Sequence, residues 1–159
     1  MTATFVLVGL LLVVAEVRYN WFPRLPNRDL VDWTSLRTEL ASRGLFDRPG
    51  LVAATLKWYD AGKLDYALGG QIPVICFGPD PRQYGVIAKP DEYTGADVVI
   101  AAPHRTVAQI EAELGPLFDR IEPAAPATIM NAGRAVVELP LFIGRNLHGS
   151  AADYRGSQR

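Results

Sequence analysis

The sequence predicts an α/β fold: a mixed, mostly parallel sheet with flanking helices and a C-terminal antiparallel hairpin, preceded by one N-terminal transmembrane helix. Three observations predict it. The apolar runs Leu51–Thr55, Ile72–Phe77 and Asp97–Ala102 are short, rich in β-formers and bounded by turn residues, as buried strands are. The segments between and after them carry helical spacing, and strand–helix–strand units give parallel pairing with right-handed crossovers. The β-rich runs Phe118–Met130 and Ala135–Arg145 then flank Asn131-Ala-Gly-Arg134, a hairpin signal.

Taken in order, Thr2–Ala15 has no charge and no helical periodicity. Arg18, Tyr19, Trp21, Phe22 and Arg24 follow it, the basic and aromatic mixture of a membrane interface. We therefore expect a transmembrane helix over 1–20. The run itself is shorter than the ~20 residues that span a bilayer, which leaves a signal peptide and a buried core helix as rivals. Met1-Thr2 offers no basic start and Ala15-Glu-Val-Arg a poor cleavage site for the first of these. Residues 21–31, with Pro23 and Pro26, form a linker. A soluble α/β domain is expected over 32–148 and a disordered tail over 149–159, where small and polar residues dominate.

Within the domain, Asp32 is placed to cap a helix running to about Arg43, with Trp33, Leu36 and Leu40 as its apolar stripe. Leu64, Ala67 and Leu68 share one face of a crossover helix that Gly69-Gly70 ends, because glycine takes the left-handed cap conformation freely. Thr106–Leu114 is the next helix, with Val107, Ile110 and Leu114 inward. Pro123 and Pro126 cannot donate to a ladder, so their strand belongs at an edge or is irregular.

The 159 residues fit one domain, and 49% hydrophobic with 21% charged content suits a packed core. A net charge of −1 provides no basic excess to displace counterions, so no nucleic-acid partner is expected. Cys76 alone forms no internal disulfide and sits mid-strand as a small core residue. No phosphate-cradling glycine loop, no metal-ligand spacing and no nucleophile constellation is present, so no catalytic residue, metal or cofactor is assigned.

The chemistry-bearing residues cluster in the loops after the three strands. Lys57, Trp58, Asp60 and Lys63 follow the first, Asp80 and Arg82 the second, His104 and Arg105 the third. Ligands of open α/β sheets bind outside the carboxyl ends of the strands. Lys57, Asp60, Lys63, Arg82 and His104 are therefore expected to converge on one shallow crevice with Trp58 on its wall. Cations there suit a phosphate or a carboxylate, and Trp58 the face of a sugar or ring. The bland alternative is a set of surface pairs and caps that only staple the crossover helix.

Trp58-Tyr-Asp-Ala-Gly-Lys-Leu-Asp-Tyr-Ala-Leu-Gly-Gly70, with Pro73-Val-Ile-Cys76, Gly78-Pro-Asp-Pro-Arg-Gln-Tyr84 and Asp32-Trp-Thr-Ser-Leu36, resembles the C-terminal soluble region of bacterial glycosyltransferase family 39-like membrane proteins. These are dolichyl-phosphate-mannose protein mannosyltransferase-like enzymes. The resemblance covers roughly Arg18 to His148. It implies a membrane setting, a polyprenyl-phosphate sugar as donor and other transmembrane segments as partners. The family's catalytic acidic loop has no counterpart here, so the resemblance implies an accessory, non-catalytic domain or fragment that contacts the acceptor or the lipid-phosphate sugar. It also implies a single-pass chain in the cell membrane with its domain outside the cytoplasm. Arg18, Arg24 and Arg28, read alone by the positive-inside rule, place the domain inside. Two other functions stay open from the residues: a stand-alone module for a nucleotide or sugar phosphate, and a membrane interaction protein.

Overall fold

Residues Val52–Thr55 (β1), Val74–Cys76 (β2) and Val98–Ala101 (β3) are buried throughout, as strands covered on both faces must be. They come from a computed structural model that describes residues 9–14, 31–46, 48–131 and 134–148. β1 pairs in parallel with β2 on one side and with β3 on the other. Phe118–Asn131 (β4) and Arg134–Leu147 (β5) form the antiparallel hairpin, and the sheet order is β2-β1-β3-β5-β4.

The returning strand of the hairpin, β5, lies against β3, antiparallel to it. The four pairings thus divide evenly, two parallel and two antiparallel, and the expectation of a mostly parallel sheet is corrected to a mixed one. The cause is the prolines. Pro123 and Pro126 confine β4 to the edge, so only β5 can meet β3 with a full ladder.

Four helices cover the sheet: Ser35–Ser42 (α1), Trp58–Leu68 (α2), the short Tyr84–Ile87 (α3) and Val107–Leu114 (α4). α1 and α2 lie on one face, where Trp33, Leu36, Leu40, Leu64 and Leu68 pack with Val99 and Ile129. α4 covers the other, where Ile110 and Leu114 pack on Phe77, Ile100 and Phe118. α2 ends at Gly69 with φ 64°, the left-handed cap expected there. The Asp32 carboxylate accepts from the Thr34 N–H and hydroxyl, both at 2.9 Å, and Thr34 takes the cap position itself. Thr106 and Gln109 close a reciprocal capping box on α4.

β4 bulges between Ala124 and Ala127. Arg43, just past α1, donates to the carbonyls of Ala125 at 2.5 Å and Pro126 at 2.7 Å, and pairs with Glu39 at 2.6 Å. A bulge leaves carbonyls outside the ladder, and this guanidinium takes them up. Arg43→Ala is expected to lower stability by about 0.5–1.5 kcal/mol in a urea titration, the net range for a hydrogen bond, because Ala125 and Pro126 are exposed and water can take up their carbonyls. Arg43→Lys should recover only part, since one ammonium lacks the planar fork.

Among the described residues, no helix is long and apolar enough to cross a membrane. Most of the expected span over 1–20 lies outside those residues. Of it, 9–14 are helical, and Leu10, Leu11, Leu12, Val13 and Val14 are exposed. The expected linker, save Val31, and the expected tail over 149–159 also lie outside the described residues.

Candidate functional site

The carboxyl ends of β1 and β2 are drawn together at Gly78, which lies against the carbonyl of Leu56 so closely that a Cβ would stand 2.3 Å from its oxygen. α2 begins two residues beyond Leu56. Its cap residue is Lys57, in extended conformation and with no side-chain cap bond, so Trp58, Tyr59 and Asp60 form the first turn. The Thr55 hydroxyl donates to the Lys57 carbonyl at 3.1 Å and ties the turn to β1.

The side chains at this end build a continuous array of cations and rings. The Arg82 guanidinium lies 4.1 Å from the centre of the Trp58 ring. Trp58 meets Tyr59 edge-on, with centroids 5.7 Å apart. Lys57 Nζ stands 5.4 Å from the Tyr59 ring and Lys63 Nζ 6.0 Å from it. Lys63 Nζ is also 5.4 Å from the ring of Trp33, which reaches in from the start of α1. Such contacts hold a cation against the negative face of a ring without neutralising it.

The charges are arranged against the ordinary preference of helices. The amino end of a helix carries partial positive charge and favours anions. Here Lys57 occupies the cap, and Lys63 and Arg82 stand beside the first turns. Asp60 in the first turn offsets part of this, pairing with Lys63 at 3.8 Å while only 6% exposed itself. Arg82 pairs with Asp80 at 3.2 Å, but both side chains are more than half exposed, so the pair contributes ~1 kcal/mol at most. Cys76, beneath the same turn, is buried, and that burial pushes its thiol up despite bonds with Gly78 and Thr55. A neutral buried thiol is a core residue rather than a nucleophile.

Lys57, Trp58, Asp60, Lys63 and Arg82 therefore meet around the amino end of α2. His104 follows β3 on the same edge of the sheet but is exposed, and among the described residues it makes no hydrogen bond or ion pair. Its neighbour Arg105 turns away to Glu113 on α4, at 3.0 Å. Arg82 and His104 share a backbone peculiarity, φ of 48° and 62° respectively, a region that disfavours side chains and recurs at functional positions. Trp58 differs from its expected part: the ring offered to a sugar carries a guanidinium over it instead. Tyr59 and Trp33 are members outside the set expected to converge. Tyr59 is adjacent to the chosen residues, whereas Trp33 is a core-stripe residue joined to the array only by the packing of α1 beside α2.

At the opposite edge, before β1 and β3, a cleft of about 570 Å³ opens among Arg48, Gly50, Tyr93, Gly95 and Asp97. Arg145 bridges Asp97 at 2.5 Å and Glu122 at 3.0 Å. Burial alone would raise the Asp97 carboxyl, but the bond from Arg145, the Asn146 N–H and the charges of Arg145 and Arg48 hold it below the usual carboxylate range. These groups satisfy one another and fasten the start of β3 to the hairpin. Among the described residues, no three His, Cys, Asp or Glu side chains gather as a metal set. Compared with protein-family models, curated proteins and solved structures, the chain matches none.

Proposed function

We propose that this chain is a membrane-anchored, non-catalytic accessory domain of a polyprenyl-phosphate-sugar-dependent glycosyltransferase, and that the amino end of α2 receives the phosphate of the lipid-linked sugar. One observation carries this: three cations, Lys57, Lys63 and Arg82, gather on aromatic rings at the positive end of a helix. Asp60 and Asp80 offset part of this charge, and a phosphate is favoured beside the cations because helix amino ends and charged donors both stabilise it. Sequences that break a local rule in this way do so where function requires it. The resemblance of Trp58–Gly70 to the soluble region of family 39-like transferases supplies the kind of phosphate, and the uncharged run Thr2–Ala15 supplies the anchor. The accessory role follows from the chemistry of the site, which offers binding groups but no nucleophile and base within reach of each other.

Arg82→Ala and Lys57→Ala are each expected to weaken binding of polyprenyl phosphate in detergent micelles about tenfold to a hundredfold, the equivalent of one charge-assisted contact. The melting temperature should barely move, because both side chains are exposed. Unchanged affinity in both variants would sink the proposal. Lys63→Ala is a poorer probe. Lys63 is only about one-fifth exposed and pairs with buried Asp60, so stability falls along with any affinity.

The strand order favours one second reading. β2-β1-β3 puts a topological switch point between β1 and β3, whose following loops carry Lys57 and His104. That is where soluble nucleotide- and sugar-phosphate modules bind. A sugar phosphate without a polyprenyl tail that binds as tightly as the lipid would favour this module over the membrane domain.

A further inference from the structure

We propose that Val86 and Ile87 form a second membrane contact, inserting into the apolar boundary of a lipid bilayer so that the carboxyl edge of the sheet faces the headgroups. This rests on the membrane-anchored reading above and adds to it an orientation and a surface.

Val86 is 75% exposed and Ile87 68%, side by side on α3. Single exposed aliphatic residues are ordinary, but an adjacent pair held outward by a rigid frame is not. The frame is well built. The amides of Val86 and Ile87 both donate to the Gln83 carbonyl at 2.9 Å. Tyr84 is buried, and its hydroxyl donates to Asp65 on α2 at 3.3 Å. Gly85 sits so close to Pro81 that a Cβ there would stand 2.9 Å from the proline ring.

Two features favour a bilayer as the occupant. First, the surroundings have interfacial chemistry. Exposed Arg82 and Lys89 flank the pair, and half-buried Trp58 and Tyr59 lie on the same edge with Lys57. Aromatic rings and long cations of this kind settle at headgroup level, with stems in the apolar layer and charges in water. The nearby carboxylates do not prevent this: Asp80 is paired with Arg82, and Asp91 and Glu92 lie in the next turn, beyond Lys89. Second, the chain comes into the domain beside α2. Val31 packs against the core next to Trp33, and Trp33 touches Lys63 midway along α2, within one turn of Asp65, the partner of Tyr84. Residues 16–30 join this point to the apolar run, a reach of about 50 Å at most even fully extended.

The test uses the full chain in vesicles of phosphatidylethanolamine and phosphatidylglycerol. In a Cys76→Ala background, with folding checked by circular dichroism, an environment-sensitive fluorophore is placed at Val86→Cys, at Ile87→Cys and, as a control, at Glu111→Cys on the exposed face of α4. The chain should float with the vesicles. Fluorophores at 86 and 87 should shift to the blue and be quenched by spin-labelled lipid several-fold more than the one at 111. Flotation with water-like spectra at 86 and 87 overturns this inference and leaves the anchored domain standing. No flotation overturns both. A blue shift without quenching by lipid means that protein rather than lipid covers the pair and also overturns it.

Discussion

Gly78→Ala is expected to destabilise the domain by about 3 kcal/mol or more, the upper end of what overpacking does and a large share of the roughly 5–15 kcal/mol that holds a domain folded. The new Cβ would stand 2.3 Å from the Leu56 carbonyl oxygen, 3.2 Å from its carbon and 3.5 Å from Cys76 Sγ. The first two are backbone atoms, which cannot swing aside as the end of a flexible side chain can. Leu56 is held in turn, because the next ladder bond runs from the Phe77 N–H to the Thr55 carbonyl at 2.9 Å. Relief therefore means parting β1 from β2 at the end where Lys57, Trp58 and Arg82 are positioned. The glycine is required for the space it leaves rather than for a special φ. Gly115→Ala is the matching control: nothing lies within 4 Å of its Cβ position and its backbone is right-handed helical, so stability should be unchanged within ~0.5 kcal/mol. Guanidinium unfolding midpoints of the two variants decide the matter. Near-equal midpoints would show that the two loops can separate freely.

How much of this was visible in the sequence depends on how local each signal is. β1, β2 and β3 fall inside the apolar runs, each shorter by one to three residues, because burial on both faces leaves an uninterrupted apolar signature. The end of α2 was legible from Gly69, and the edge position of β4 from its prolines. The partner of β3 was not, since a hairpin's alternation is the same whichever strand faces inward. The site divides the same way. Lys57, Trp58, Asp60 and Lys63 lie within seven residues on one helix start, and local spacing brought them together. Trp33 joins through packing between α1 and α2, and Arg82 reaches Trp58 through a left-handed backbone that no neighbouring residue announces. His104 shows the limit of strand-end reasoning, which assigns a residue to an edge of the sheet without aiming its side chain.

As pH rises from 10 to 12, the domain is expected to lose stability, and Tyr84→Phe to abolish that loss. Burial of the Tyr84 phenol, then the negative charge of Asp65 and the bond donated to it, push its pKa from 10.0 up to about 12. The folded chain therefore keeps this proton where the unfolded chain releases it. A group raised in this way contributes fully below the unfolded value, near 10, and the contribution drains away as pH climbs toward the folded value. A two-unit shift corresponds to about 2.7 kcal/mol, so ~2–3 kcal/mol should disappear across the window. Tyr84 is only 6% exposed, so solvent screens this effect little. Tyr84→Phe loses the 3.3 Å bond to Asp65 and should be about 0.5–1 kcal/mol less stable at neutral pH. Above pH 10 its curve should flatten relative to the parent, cross it before about pH 11, and lie about 1–2 kcal/mol above it by pH 12. Every other titration is common to both proteins, so the difference between urea midpoints isolates this one hydroxyl. Parallel curves would mean that Tyr84 is not locked to Asp65. α3 would then be free of α2, and the frame that holds Val86 and Ile87 outward would be lost with it.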